Sequence, residues 1–148
     1  MAVNAKFKSR EAVMRRLRQL VPDAEKEAAA AQMEAATELA SAIAARAPVG
    51  ATGEYKRSIQ GDKLSNRPGE KAVGGRATKD PNATGVFASY KWRWLEFGTK
   101  ERVVKKTGQK VGKVDAQPHV LPTYRGMKKR IRRKVAGAIN KAVRKAKR

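Results

Sequence analysis

The sequence predicts an α+β fold: Ala-rich N-terminal helices, a small antiparallel β-sheet and a basic C-terminal helix. Three observations carry the prediction. Ala24, Ala28, Ala31, Ala35, Leu39, Ala42 and Ile43 recur at three- and four-residue spacing, a helical stripe of small residues. From Thr52 the pattern changes to alternation broken by turn residues. Met127, Ile131, Val135, Ile139 and Val143 then recur every four residues on a segment otherwise nearly all Lys and Arg.

Taken in order, residues 1–20 predict a short basic helix, with Ser9 as its cap and Val13, Leu17 and Leu20 on one side. The long helix is expected over 22–47. Pro22 suits its first turn, Asp23, Glu25 and Glu27 suit its positive end, and Pro48 and Gly50 stop it. Small side chains on its stripe invite close approach by another helix or a sheet. Residues 52–116 are expected to form a β-rich core. Gly53 permits a turn of positive φ, and Tyr55, Arg57 and Ile59 alternate with polar residues as in a half-buried strand. Residues 61–71 are turn-rich, Ala72 and Val73 read as a weak second strand, and 86–90 as a better one. Trp92, Trp94, Leu95 and Phe97 form an aromatic cluster stopped by Gly98. Residues 100–114 read as a basic hairpin turning at Thr107, Gly108 and Gln109. Pro118 and Pro122 bracket an extended link, and the last helix is expected over 122–148.

A length of 148 residues suits one domain. Thirty-five Lys and Arg against thirteen Asp and Glu leave a formal charge of +22, which calls for a polyanion or acidic protein partners. The ends carry the excess, since residues 125–148 hold twelve basic groups and no acid. With no acids of its own to pair with, that helix needs its charge met from outside. It would lie along a nucleic-acid backbone, line a passage for DNA, or remain a solvated face that keeps the chain soluble. The DNA- or partner-facing residues would be Lys128, Lys129, Arg132, Arg133 and Arg144, with Lys105, Lys106 and Lys110 of the hairpin beside them. Aromatics are only 5% and alanine supplies much of the apolar content, so the core is thin and a partner surface helps to complete it.

Catalysis finds little to use. There is no cysteine, hence no thiolate metal site or thiol nucleophile. His119, the single histidine, lies between Pro118 and Val120 and reads as a packing or surface residue. Neither Ser58 nor Asp62 stands at a spacing that makes a triad with it. The carboxylates are scattered, without a metal-binding pattern or a Gly-rich phosphate loop. The expectation is a protein that is not an enzyme and holds no cofactor. Glu96, inside an aromatic segment, must be satisfied by capping nearby backbone N–H groups or by a cation of a neighbouring subunit. The most apolar stretch, 39–45, is far short of the roughly 20 residues that cross a bilayer, and the basic start lacks the apolar run of a secretory signal.

Three islands in order resemble a known pattern. They are Ala47-Pro48-Val49-Gly50-Ala51-Thr52-Gly53 followed by Lys56-Arg57-Ser58-Ile59, then Trp94-Leu95-Glu96-Phe97-Gly98-Thr99, then Gln117-Pro118-His119-Val120-Leu121-Pro122. The set is similar to the tail-completion, or head–tail joining, family of long-tailed bacteriophages, a family of siphophage minor tail components. The resemblance covers roughly residues 20–145. Its motif residues here are Pro48, Thr52, Gly53, Ser58, Ile59, Trp92, Trp94, Leu95, Glu96, Phe97, Gly98, Thr99, Pro118 and Pro122. His119 stands where the family usually has Phe, Tyr124 stands near a usual small residue, and the basic tail is unusually heavy.

The resemblance implies a non-catalytic α+β subunit forming a homo-oligomeric, six-fold ring in the phage neck. Its partners there would be further copies of itself, the portal, adaptor or stopper on one side and the tail terminator or tail tube on the other, with nonspecific contact to packaged DNA and no membrane. It would be made in the bacterial cytoplasm and end in the virion. The runner-up reading, a nucleic-acid-binding accessory protein of the ribosome- or nucleoid-associated type, explains the charge but not the order of the islands.

Overall fold

The structure, a computed structural model, describes residues 14, 15, 18, 23–75 and 77–146. Met14, Arg15 and Arg18 are helical, and the rest of the helix expected over 1–20 lies outside the described residues.

The long helix α1 spans Ala24–Arg46, within the expected 22–47. Its buried face is Ala24, Ala28, Ala31, Ala35, Ala36, Ala40 and Ile43, so the small-residue stripe is the side that packs. Glu25 and Glu27 lie in its first turn, where the helix dipole favours them. The chain leaves at Ala47 in extended conformation, as a residue before proline must.

Where a strand was expected from Thr52, the chain instead makes a short helix, α2, Glu54–Ser58. Gly53 has φ +64° and turns the backbone into it. Buried Tyr55 and Ile59 are four residues apart, a spacing that strand and helix share. Exposed Arg57 decides against the strand, which would have put all three on one face. The first strand, β1, comes later at Gln60–Lys63, three of its four residues in the stretch 61–71 read as turn. It pairs antiparallel with β2, Thr84–Phe87, with Gln60 opposite Phe87 and Lys63 opposite Thr84. Ala72 and Val73 are not a strand. Val73 donates one bond to the Val86 carbonyl (2.8 Å) and the pairing goes no further.

β1 lies close against α1. A Cβ built on Gly61 would fall 2.4 Å from the Ala36 carbonyl oxygen, so the glycine hydrogen and the alanine column are both needed for that approach. The main core gathers Ala40, Ile43, Ala47, Tyr55, Ile59, Val86 and Val120, with Trp92 and Leu95 packed at its margin.

The aromatic segment is a helix of six residues, α3, Trp92–Phe97. A basic hairpin follows as expected, β3 (Arg102–Val103) paired antiparallel with β4 (Lys110–Gly112). Among its described residues the region 52–116 therefore holds two separate two-stranded sheets, two short α-helices and one 3-10 turn at Leu64–Asn66, not one small sheet.

The basic helix α4, Val120–Ala146, starts two residues earlier than expected and takes Pro122 into its first turn. Its stripe of Met127, Ile131, Val135, Ile139 and Val143 is half-buried. α4 runs antiparallel to α1: Arg46 donates to Thr123 Oγ1 (3.4 Å) at one end, and Ala24 packs on Ala142 at the other. Between them Lys134 Nζ meets Glu34 (2.7 Å) and Glu38, with Arg130 3.7 Å from Glu38. The hydrogen bond from Lys134 holds the Glu38 carboxyl below its usual value, and Glu34 and Glu38 together raise Lys134. Part of the α4 charge is thus answered within the chain, against the expectation that all of it needs an outside partner.

The Gly61 contact gives a direct test. Gly61→Ala is expected to lower stability by about 2 kcal/mol or more through overpacking against Ala36. Denaturant unfolding of the purified chain would measure it, and an unchanged midpoint would show that α1 and β1 separate easily.

Candidate functional site

The site that organises the second and third islands begins with a backbone requirement. The first four N–H groups of a helix have no partner within it. For α4 these belong to His119, Val120, Leu121 and residue 122. The carboxylate of Glu96 meets the first three: Oε2 accepts from His119 N (2.8 Å) and Val120 N (2.9 Å), and Oε1 accepts from Leu121 N (2.9 Å). The fourth donor does not exist, because residue 122 is proline. One side chain and one imino acid close the whole helix terminus.

Glu96 is only 2% exposed. Burial alone would push its carboxyl up, but the three backbone N–H bonds, joined by the nearby His119 ring, outweigh it and hold the group below the ordinary glutamate value. Of the two ways open to satisfy Glu96, capping is the one used.

His119 is buried, not a surface residue. Its Nδ1 donates to the Gln117 carbonyl (2.7 Å), since a carbonyl only accepts, and lies 3.3 Å from Glu96 Oε2. Nε2 then accepts a hydrogen bond from the Tyr55 hydroxyl at 2.6 Å. Burial, with the Glu96 charge adding to it, pushes the Tyr55 phenol up to about 12, which keeps it a donor. Thr123 Oγ1 donates back to the His119 carbonyl (2.6 Å). Tyr55, His119 and Glu96 join α2, α3 and α4, with each polar atom committed: Tyr55 to the His119 ring, the ring to the Gln117 carbonyl, and Glu96 to the backbone N–H groups of α4.

A second set of bonds fixes the hairpin. Gln117 N–H donates to the Leu95 carbonyl (2.7 Å), Thr99 N–H to the Val114 carbonyl (2.8 Å), and Val114 N–H to Thr99 Oγ1 (3.0 Å). Gly98 makes this latch possible. It has φ +73°, and a Cβ there would sit 2.9 Å from both Val114 O and Ala116 N. Residues 100–113 leave the latch and return to it with every residue exposed, Val103 (53%) and Val111 (56%) among them.

The other predicted residues fall around this frame. Ser58 donates to the Tyr55 carbonyl (2.6 Å) and accepts from Ser89 N (3.0 Å), tying α2 to the end of β2. Thr52 accepts at Oγ1 from Glu54 N (3.4 Å) and at its carbonyl from Arg57 (2.7 Å), so the first island is a helix-starting turn. Pro48 is half-buried and Pro118 exposed, and Ile59, Trp92 and Leu95 serve the core. Trp94 and Phe97 are exposed. Lys105, Lys106 and Lys110 are exposed on the hairpin, with Lys110 3.5 Å from Glu101. Lys128, Lys129, Arg132, Arg133 and Arg144 are exposed on α4.

Sequence reasoning missed the Tyr55–His119 bond and the role of Arg102, whose guanidinium lies 5.2 Å over the Trp94 ring. The proline on one side of His119 and the Val-Leu on the other signalled burial, while no local signal pointed to Tyr55. Among the described residues no group of three or more His, Cys, Asp or Glu is arranged to hold a metal, and no helix is long and apolar enough to cross a membrane.

Glu96→Gln keeps one acceptor oxygen but turns the other into an NH2 facing N–H donors, so at least one of the three is stranded and the charge is lost. Stability is expected to fall by about 2 kcal/mol near neutral pH. The folded value of this carboxyl lies below its unfolded one, so its stabilisation is complete above the unfolded value and is lost as pH falls through the folded one. The gap in melting temperature between wild type and Glu96→Gln should therefore narrow on acidification. A gap constant from neutral to acid pH would mean the carboxylate charge plays no part.

Comparison with known proteins adds the remaining information. The family model described as "Bacteriophage HK97-gp10, putative tail-component" matches residues 11–98, more than half of the chain, from before α1 to the glycine that ends α3. No curated protein and no solved structure gives a match. The first island and most of the second lie inside the matched span, while the hairpin and α4 lie beyond it. The chain therefore belongs to the HK97-gp10-like family of bacteriophage tail components.

Proposed function

We propose that this protein is a non-catalytic neck subunit of a long-tailed phage, folding as one domain and forming a homo-oligomeric ring, a hexamer to match the tail. The ring stands between the head's portal complex and the tail tube, contacting the adaptor or stopper on one side and the tail terminator or tube on the other. The observation that carries this reading is a rigid frame, closed by Glu96, from which an entirely exposed basic hairpin projects. A tail component whose outermost feature is a latched hairpin is suited to reach a neighbour in a stack. The exposed cations of α4 are suited to the channel side, where charge retains DNA without reading its sequence. The protein is made in the host cytoplasm and becomes part of the virion.

The exposed cations of α4 also favour a second reading, a nucleic-acid-binding accessory protein. The two separate on salt and on location. A backbone binder loses affinity log-linearly with salt, by a slope of about −0.9 per phosphate neutralised, and is abundant in cells. A neck subunit is present in purified particles at a small fixed copy number, near half that of the portal protein. Quantitative mass spectrometry of particles makes the distinction, and absence from particles would sink the ring.

Neutralising Lys128, Arg132 and Arg133 together is expected to lower retention of packaged DNA while the melting temperature holds. Unchanged retention with assembly lost would reassign those charges to a protein interface.

A further inference from the structure

Helix α3 divides its side chains between two tasks. Trp92, Leu95 and Glu96 turn inward, while Trp94 and Phe97, three positions apart, turn out with exposures of 41% and 61%. Tyr90, 70% exposed, meets Trp94 edge-on at 5.4 Å, and Arg102 from β3 covers the Trp94 ring at 5.2 Å. Phe97 rests 6.3 Å from the ring of Trp92, which packs on the core. The result is a fixed aromatic relief, held from beneath and flanked by the exposed cations Lys91 and Arg93. Trp, Tyr and Arg together on one rigid exposed surface are the residue types that dominate binding energy in protein interfaces. A platform for nucleic-acid bases needs open ring faces, and Trp94 already carries a guanidinium.

The complementary surface is on the same chain. Five of the thirteen acids lie between Asp23 and Glu38. A ridge running from the N-cap of α1 along the helix, at spacings of three and four, is Asp23, Glu27, Ala30, Glu34, Thr37 and Ser41, all exposed. Glu34 is shared with Lys134 (2.7 Å), so Asp23 and Glu27 supply the ridge's acidic end and Ala30, Thr37 and Ser41 its small side chains. Among the described elements, helix α1 packs mainly on α4, β1 and β2. With a net charge of +22, two copies repel unless the cations of one face the acids of the next.

We infer that the Tyr90–Trp94–Phe97–Arg102 patch of one copy docks on the α1 ridge of the next. The inference rests on the ring reading and supplies its contact. Two unlike surfaces meeting head to tail form a heterologous interface, the kind that closes into rings, whereas a patch meeting itself yields only a two-fold dimer.

The chain has no cysteine, so thiols can be placed cleanly. Phage carrying Lys91→Cys, Glu27→Cys, or both, would be purified and treated with a short bis-maleimide, with copy number read by mass spectrometry. Both sites are exposed, and the purified variants should melt within a few degrees of wild type, Glu27→Cys giving up only its favourable place at the helix N-terminus. Expected is a ladder of covalent multimers for the double variant and monomer for each single one. Adding Trp94→Ser and Phe97→Ser to the double variant should cut the ladder at least tenfold. Dimers from Lys91→Cys alone would overturn the inference in favour of a two-fold patch contact. A double variant present at ring copy number yet never cross-linked, or a ladder indifferent to the serines, would overturn the surface and leave the ring standing. Absence of the chain from particles would remove the ring reading and the contact with it.

Discussion

A carboxylate withdrawn from water must be met by donors, and in this chain the donors are the amides that open α4. Glu96 accepts all three of them, and Pro122 removes the need for a fourth. The arrangement works in both directions, because a buried charge and an uncapped helix end are each costly alone. Everything downstream takes its position from this contact. It holds α3 against the start of α4, and α4 then lies along α1 with Lys134 between Glu34 and Glu38. It also brings residue 117 within reach of the Leu95 carbonyl, which sets the base of the hairpin.

The second constraint is economy of volume. Much of the core of this basic chain is alanine, and its larger buried side chains are few, with Phe87 and Ile43 among them. Alanine stabilises through close approach more than through buried area, and Gly61 against Ala36 is where that approach is tightest. Such a core depends on polar staples. The Tyr55–His119–Glu96 group is one, placed where many proteins would use a larger hydrophobe. Its effect is to fix the angle between α2 and α4, so the first and third islands are joined through one imidazole.

Legibility in the sequence followed the range of each interaction. The stripe of α1, the stripe of α4 and the basic hairpin were readable because their determinants lie within a few residues of one another. The segment 54–58 was not, because Tyr55 and Ile59 satisfy both periods and only the exposure of Arg57 separates them. The start of α4 was placed late because Pro122 marks a helix beginning without saying which early turn position it occupies. For Glu96 the need for a partner was legible, but its partners lie more than twenty residues away and no local pattern names them. Lys134 is the same case from the other side, since its acids sit on α1, nearly a hundred residues earlier.

The latch at Thr99 and Val114 has an evolutionary consequence. Because the two strands of the hairpin enter and leave through adjacent, mutually bonded residues, the segment between them is topologically a graft. Lengthening it would cost only closure entropy, about 0.6 kcal/mol for each doubling. Substituting it would alter the Arg102–Trp94 stack, while the buried Glu96 cap lies outside the exchanged segment. A lineage built on this frame is free to exchange its projecting loop while inheriting its folding instructions intact, because, that stack aside, the frame meets the loop at its two anchored ends.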